Sequence, residues 1–144
     1  MTSAYAQPRR SRKALRTLAA LILVIHGLVH LMGVALLWRW GEPGELRYGD
    51  VRPEAGSTAA MVVGGVWLIA MLLFLVTAAL LATGRPTWRP VGLLAALVSI
   101  AVLLPSASIA WAGLVVDAAV LVGVAVTVAA ANRSRGAVST RDHG

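Results

Sequence analysis

Apolar runs separated by short polar segments make up most of this chain of 144 residues. Their positions predict four helices, at about 15–38, 59–83, 88–104 and 109–131. Residues 18–38 would form about 31 Å of helix, which is enough to cross the hydrocarbon core of a bilayer. Residues 91–104 would form only about 21 Å of helix and need residues 87–90 to complete a span. We therefore expect an all-α fold, an integral membrane four-helix bundle.

Polar segments divide the chain around these runs. Residues 1–14 form a basic N-terminal segment, 15–131 the transmembrane domain, and 132–144 a polar C-terminal tail. Residues 39–58 are rich in Gly and Pro, which predicts a loop. The paired arginines before the first run are also typical of export signals. That run is too long for such a signal and lacks a small-residue cleavage site, so we interpret it as an uncleaved span.

Composition agrees with a membrane protein, because 58% of the residues are hydrophobic and only 13% are charged. Soluble domains carry roughly 25% charged residues. The net charge of +7 can indicate nucleic-acid binding. Here the basic residues lie at helix ends, so we expect the lipid bilayer as partner and no nucleic acid. The absence of cysteine excludes disulfides and cysteine-based metal chemistry.

The distribution of basic residues predicts the orientation of the spans, since cytoplasmic loops are enriched in Lys and Arg. Ten basic residues fall before the first run, between the second and third runs, and after the fourth. The other three, Arg39, Arg47 and Arg52, fall between the first and second runs. We expect a multi-pass protein of the cell membrane with both termini cytoplasmic and the loop 39–58 extracytoplasmic.

Polar side chains inside the apolar runs are the candidate functional residues, because ionisable groups are rare and costly within a bilayer. His26 and His30 are one turn apart on the same face of the first helix. Counting residues from the predicted interfaces places His30, Trp67, Ser99 and Asp117 in one layer, with His26 one turn deeper. We expect His30 to pair with Asp117, and His26 is the alternative partner.

Such a layer has a structural and a functional interpretation, and both remain open. A His–Asp pair either locks the first helix to the fourth or carries a proton, an ion or a ligand. Two histidines with a carboxylate resemble a metal site, but the adjacent glutamate of the helical H-E-x-x-H motif is missing. His26, His30 and Asp117 are therefore the only metal candidates, and we predict no metal and no cofactor.

Small residues on three of the predicted helices predict close helix packing. They are Gly27, Gly33, Gly64, Gly65, Gly113, Ala119, Gly123 and Thr127. The last three form a ridge on the fourth helix, and Asp117 lies about 200° around the helix from Ala119. The ridge therefore faces a different neighbour from Asp117, which is either another helix of this chain or a second chain. A homo-oligomer or a membrane protein partner is thus an open alternative.

The pattern His-Gly-Leu-x-His-Leu-x-Gly at 26–33 resembles the first helix of a group of small four-span bacterial membrane proteins without assigned activity. That group also has a Gly-x-x-Trp-Leu-like stretch, as at 64–68, a Ser such as Ser99, and a Gly-x-x-x-Asp element, as at 113–117. More distantly, the layout is similar to DoxX-like four-helix membrane proteins. The resemblance covers most of residues 15–128 and implies a four-helix bundle.

For function, we expect a protein that acts by binding, as an accessory subunit or as a small lipid- or ligand-binding module. One alternative is a proton- or ion-coupled transporter or relay that uses His26, His30 and Asp117. A second alternative is a membrane oxidoreductase or metal-dependent enzyme. The sequence contains no phosphate-binding glycine loop and no nucleophile elbow, so it does not favour an enzyme.

Overall fold

The computed structural model of this chain describes residues 7–139, and these residues form helices without any strand. The four α-helices are α1 (Gln7–Leu37), α2 (Thr58–Ala82), α3 (Trp88–Leu103) and α4 (Ala107–Ser139). Two short 3-10 helices cover Tyr48–Asp50 and Leu104–Ser106. The prediction of an all-α fold is confirmed. Helix α1 starts inside the predicted basic segment, and α4 continues into the predicted tail. The outer parts of these two segments, residues 1–6 and 140–144, lie outside the described residues.

In the described part of the chain, three helical segments are long and apolar enough to cross a membrane, namely Lys13–Leu37, Thr58–Ala82 and Trp88–Arg133. The third segment contains both α3 and α4. The chain reverses direction within it, because the Ser99 hydroxyl lies 2.7 Å from the Asp117 carboxylate. Eighteen residues of straight helix would instead separate those two positions by about 27 Å. The reversal falls at the 3-10 helix that contains Pro105, a residue that interrupts an α-helix.

Apolar side chains cover the outside of the helices while polar side chains lie inside. Val62 on α2 is 66% exposed and Val122 on α4 is 62% exposed, whereas His30, Ser99 and Asp117 are buried. Water would strongly disfavour such a large apolar surface. Hydrocarbon accepts it, because lipid tails are as apolar as the exposed side chains. This distribution is consistent with a membrane protein.

Consecutive helices pack against one another. Glycines allow α1 and α2 to approach closely. A Cβ atom at Gly33 would lie 1.9 Å from Cζ3 of Trp67, and one at Gly64 would lie 2.1 Å from Nε1 of Trp38. Gly33 therefore leaves room for Trp67 of α2, and Gly64 leaves room for Trp38, which directly follows α1. Gly27 has a similar role, since its Cβ would lie 3.1 Å from Cβ of Phe74. These contacts align α1 with α2.

The seam between α1 and α4 stays largely open, because these two helices meet at few points. Gly113 on α4 does approach α1, since an added Cβ would lie 3.4 Å from the His26 ring. Gly123 has no atom within 4 Å of an added Cβ, so the ridge it forms with Ala119 and Thr127 borders the seam rather than a packed helix. Gly65, also expected in a packing contact, has no such neighbour because it is rotated away from α1.

The segment between α1 and α2 packs over one end of the bundle, which we call the loop end. Val51 is 1% exposed, and it belongs to the same buried cluster as Leu37 and Leu103. The backbone N–H of Arg52 donates to the Ser106 hydroxyl at 3.3 Å. The turn between α3 and α4 therefore lies beneath this segment. We call the opposite end the basic end, because Arg85 lies between α2 and α3 there and Arg89 lies in the first turn of α3.

Two apolar clusters fill the bundle. The cluster at the loop end is built around Val34, Leu36, Leu37, Val51, Trp67 and Leu103. The cluster at the basic end is built around Ala20, Leu23, Phe74, Ala78 and Ala95. The buried polar residues of α1, α3 and α4 lie between these clusters.

Candidate functional site

Three helices contribute four buried polar side chains to one layer, which we call the polar network. Helix α1 supplies His26 and His30, which face inward together because they are four residues apart. Helix α3 supplies Ser99 and α4 supplies Asp117. Their exposed fractions are 7% for His26, 2% for His30, and 0% for Ser99 and Asp117. The structure thus brings together the four ionisable or hydroxyl candidates that the sequence predicts.

Hydrogen bonds connect all four residues. Nε2 of His26 lies 3.1 Å from Oδ1 of Asp117, and the Ser99 hydroxyl lies 2.7 Å from Oδ2 of the same carboxylate. The Ser99 hydroxyl is also 3.0 Å from Nε2 of His30. Nδ1 of His30 donates to the backbone carbonyl of His26 at 3.0 Å, since a carbonyl only accepts. Both oxygens of the buried carboxylate are therefore satisfied.

The Ser99 hydroxyl has one hydrogen but two partners that can accept it, which gives the network two arrangements. In the first, Ser99 donates to ionised Asp117 and accepts from Nε2 of a cationic His30. In the second, Asp117 is protonated and donates to Ser99, which donates to neutral His30. The two arrangements contain the same number of hydrogens. The two arrangements therefore differ only in whether His30 or Asp117 carries the additional proton.

Aromatic rings hold the two imidazoles in place. The Phe74 ring meets His26 edge to face at a centroid distance of 4.6 Å, and Trp67 meets His30 at 5.5 Å. The two imidazoles are themselves perpendicular at 5.0 Å. Such contacts fix ring orientation as well as burying area. The sequence analysis missed Phe74, although it is the only phenylalanine of the chain and lies inside an apolar run.

The direct partner of Asp117 is His26, whereas the sequence analysis placed His30 opposite it. His30 reaches Asp117 only through the Ser99 hydroxyl. Counting residues assumed that the end of α1 and the start of α4 lie at the same depth. The turn before α4 instead lies beneath the segment that contains Val51 and Arg52. That placement moves Asp117 about one helical turn deeper, which is about 5.4 Å, and so level with His26.

A cavity of about 140 Å³ adjoins the network on its loop-end side, and we call it the loop-end cavity. Its walls include His26, His30, Trp67 and Gly113. The indole N–H of Trp67 is buried and finds no acceptor among the described residues. A buried donor without a partner is uncommon and costs free energy unless water or a ligand accepts its hydrogen.

The arrangement offers little to a metal ion. Within residues 7–139, no three His, Asp or Glu side chains come together in a way that would hold one. Nε2 of His26 and both oxygens of Asp117 are engaged with each other or with Ser99. The candidates His26, His30 and Asp117 therefore form a hydrogen-bonded network, and binding a metal would require these bonds to break.

Fold and site together define a class, a helical protein with membrane-type helices around a buried His–Ser–Asp network. No family model matches this chain, and no curated protein and no solved structure is significantly similar to it. The resemblance to small four-span membrane proteins and to DoxX-like proteins therefore stays a prediction.

Proposed function

We propose that this chain is a four-span protein of the cell membrane, with both termini in the cytoplasm and residues 39–58 outside. Two observations support four spans rather than three. The Ser99–Asp117 hydrogen bond requires α3 and α4 to run side by side, and apolar side chains cover both helices, as Leu97 and Val115 do. The basic end carries Arg16, Arg85 and Arg89, in agreement with a cytoplasmic side.

Labelling of single cysteines by a membrane-impermeant thiol reagent tests this orientation, because the chain has no cysteine of its own. The exposed position Glu45 represents the loop end, and Ser3 and Ser139 represent the termini. We expect Glu45→Cys to react in intact cells and Ser3→Cys and Ser139→Cys to react only after the membrane is permeabilised. The reverse pattern would overturn the proposed orientation.

We further propose that the protein is a binding module whose loop-end cavity takes a small apolar molecule bearing one hydrogen-bond acceptor. The observation that carries this proposal is the buried indole N–H of Trp67, which lines the cavity and finds no acceptor within residues 7–139. An acceptor on the ligand would satisfy that donor. The remaining wall is mostly apolar, which favours hydrocarbon over charge in the rest of the ligand.

The volume of the loop-end cavity and the position of its entrance limit the class of ligand. A volume of about 140 Å³ is close to that of a cavity of about 150 Å³ that admits benzene. A molecule of this kind with about seven heavy atoms would therefore fit. Val29 and Ile109 line the cavity and are 50% and 39% exposed. They lie on α1 and α4, so the entrance opens sideways through the seam, where an apolar molecule arrives from the bilayer.

Cyclohexanone and methylcyclohexane are matched probes, because they have similar size and only the ketone has an acceptor. The readout is the indole N–H resonance of Trp67 in detergent-solubilised protein, identified by its loss in Trp67→Phe. We expect cyclohexanone to shift this resonance saturably and methylcyclohexane to leave it nearly unchanged. Filling the cavity with Ala110→Leu should abolish the shift. A shift that does not saturate, or an equal shift with both probes, would overturn the proposal.

A proton relay is the second candidate, and the single hydrogen of Ser99 between His30 and Asp117 supports it. The residues between the polar network and the basic end favour a binding module over a proton transporter. Its buried residues, within the described part of the chain, are apolar except Thr77, whose hydroxyl donates to the carbonyl of Leu73 in its own helix. A proton would find no polar path through this cluster.

Proton flux into vesicles that contain the purified protein separates the two candidates. A relay requires flux that Asp117→Asn and Ser99→Ala both abolish. A binding module of the kind proposed gives no flux above empty vesicles, while its Trp67 resonance still responds to cyclohexanone.

A further inference from the structure

At the basic end, the seam between α1 and α4 widens into an apolar groove of about 410 Å³, which we call the seam groove. Leu23 on α1 and Val120 on α4 form opposite walls. The groove exists because Ala119, Gly123 and Thr127 present small side chains where a bulkier residue would close the gap. Gly123 in particular has open space in place of a Cβ neighbour. The ridge of small residues is therefore the wall of a groove.

One cation lines this groove at its mouth. The Arg16 guanidinium packs over Gly84, so that Nη1 lies 2.6 Å from where a Cβ atom of Gly84 would stand. Gly84 follows Thr83, the C-cap of α2, and the terminal carbonyls of that helix favour a positive charge. The Arg16 guanidinium thus lies beside the C-terminal end of α2.

Among residues 7–139, no carboxylate neutralises this cation. Within the described residues, the acidic side chains are Glu42, Glu45, Asp50, Glu54 and Asp117. The first four lie at the loop end, and Asp117 is engaged by His26 and Ser99. Arg85 and Arg89 add further positive charge at the same end as Arg16. The mouth of the seam groove is therefore complementary to an anion.

We propose that the seam groove binds one acyl chain of an anionic phospholipid, with the lipid phosphate beside Arg16. The α1 wall from Leu15 to Leu23 is about 12 Å long, and the α4 wall from Val116 to Thr127 is about 17 Å long. One leaflet of hydrocarbon is about 15 Å thick, half of the usual core. A groove of that length with a cation at its mouth matches a chain and headgroup of a single lipid. The lipid comes from the leaflet at the basic end.

A second copy of this chain is the alternative occupant, and charge disfavours it. A two-fold symmetric pair that shared this face in one membrane would bring two basic ends together. Arg16, Arg85 and Arg89 of both copies would then repel one another. An anionic lipid removes this repulsion. The lipid site lies on the opposite side of the polar network from the loop-end cavity, so the lipid proposal does not depend on the ligand proposed for that cavity. It rests only on the proposal that the chain is a membrane protein.

Native mass spectrometry of the full chain in detergent tests the proposal directly. The probes are phosphatidylglycerol and phosphatidylcholine with identical acyl chains, added at equal concentration. We expect about a fivefold preference for phosphatidylglycerol, because one basic residue near an anionic headgroup contributes an attraction of that order. Equal adducts of the two lipids would overturn the proposal.

Matched variants separate the roles of charge and groove. Arg16→Gln should bring the preference close to one, whereas Arg85→Gln, an exposed arginine outside the groove, should retain it. Gly123→Leu should fill the groove and reduce adducts of both lipids at least fivefold, whereas Gly65→Leu, placed where α2 is equally open, should not. An added Cβ atom at either glycine has no atom within 4 Å among the described residues, so we expect both variants to fold.

Three other results would overturn the proposal. If Arg85→Gln lowers the preference as much as Arg16→Gln, the attraction belongs to the general charge of the basic end. If Gly123→Leu leaves the adducts unchanged, the lipids surround the protein without entering the groove. If the wild-type chain is a dimer that Gly123→Leu dissociates, a second copy occupies the groove.

Discussion

Removing the Asp117 carboxylate should destabilise the protein mainly through His26. In Asp117→Leu, Ser99 can turn its hydroxyl toward Nε2 of His30, which is 3.0 Å away. His26 has no such alternative, because its Nε2 faces only the former carboxylate at 3.1 Å. One buried, unpaired donor costs about 1–3 kcal/mol. We expect Asp117→Leu to lower the free energy of unfolding by about that amount.

Removing His26 as well should recover part of this loss, because no orphaned donor then remains. Hydrogen bonds within membranes show coupling energies of about 0.6 kcal/mol on average, with a maximum of about 1.7. We expect the His26–Asp117 coupling energy at the upper end of this range, since both partners are ionisable and Asp117 is fully buried. We expect a coupling of about 1–1.7 kcal/mol between Asp117→Leu and His26→Leu.

The assay is a double-mutant cycle of unfolding free energies in detergent. The same cycle with His30→Leu should give a smaller coupling, below about 0.5 kcal/mol, because Ser99 separates His30 from the carboxylate. Thr77→Val is the control, since Thr77 is equally buried but bonds only within its own helix. Additive losses for His26 and Asp117, or a larger coupling to His30, would refute the direct His26–Asp117 bond.

Three further predictions concern packing. Gly33→Ala would place a methyl group 1.9 Å from the Trp67 ring. We therefore expect thermal unfolding to show a loss of about 1–3 kcal/mol in the free energy of unfolding. Gly65→Ala is the control, because an added methyl group there meets open space, and it should not lower stability. Arg47→Ala should change stability by less than about 0.5 kcal/mol because the side chain is exposed, and a larger loss would contradict this. Val51→Ala should cost about 2 kcal/mol in the same assay, and a neutral result would show that the loop end is not packed.

The sequence predicted the helices well because apolar runs and their breaks are local properties. The reversal before α4 was predicted from Pro105 and its polar neighbours, and the structure places a 3-10 helix there. The loop segment was harder to predict. Its Gly and Pro content indicates a loop, but the burial of Val51 and Ala55 depends on a helix turn far along the chain that lies beneath them.

The candidate site was predicted as a set of residues, but its connections were not. Intramembrane polar residues are rare enough that His26, His30, Ser99 and Asp117 stood out without any structural knowledge. Which histidine meets the carboxylate depends on the depth of one helix relative to another. An offset of one turn, about 5.4 Å, exchanges the two partners. Residue counting from predicted interfaces does not resolve such an offset.

The polar network also divides the seam between α1 and α4 into two parts. Helices α1 and α4 meet at few points, and within the described residues the His26–Asp117 bond is the side-chain hydrogen bond that joins them directly. The loop-end cavity lies on one side of this bond and the seam groove on the other. Leu23 in the groove wall is one turn from His26, and Val116 is adjacent to Asp117. The bond therefore lies between two apolar spaces, so the ligand proposed for the loop end and the lipid proposed for the basic end would bind at separate sites.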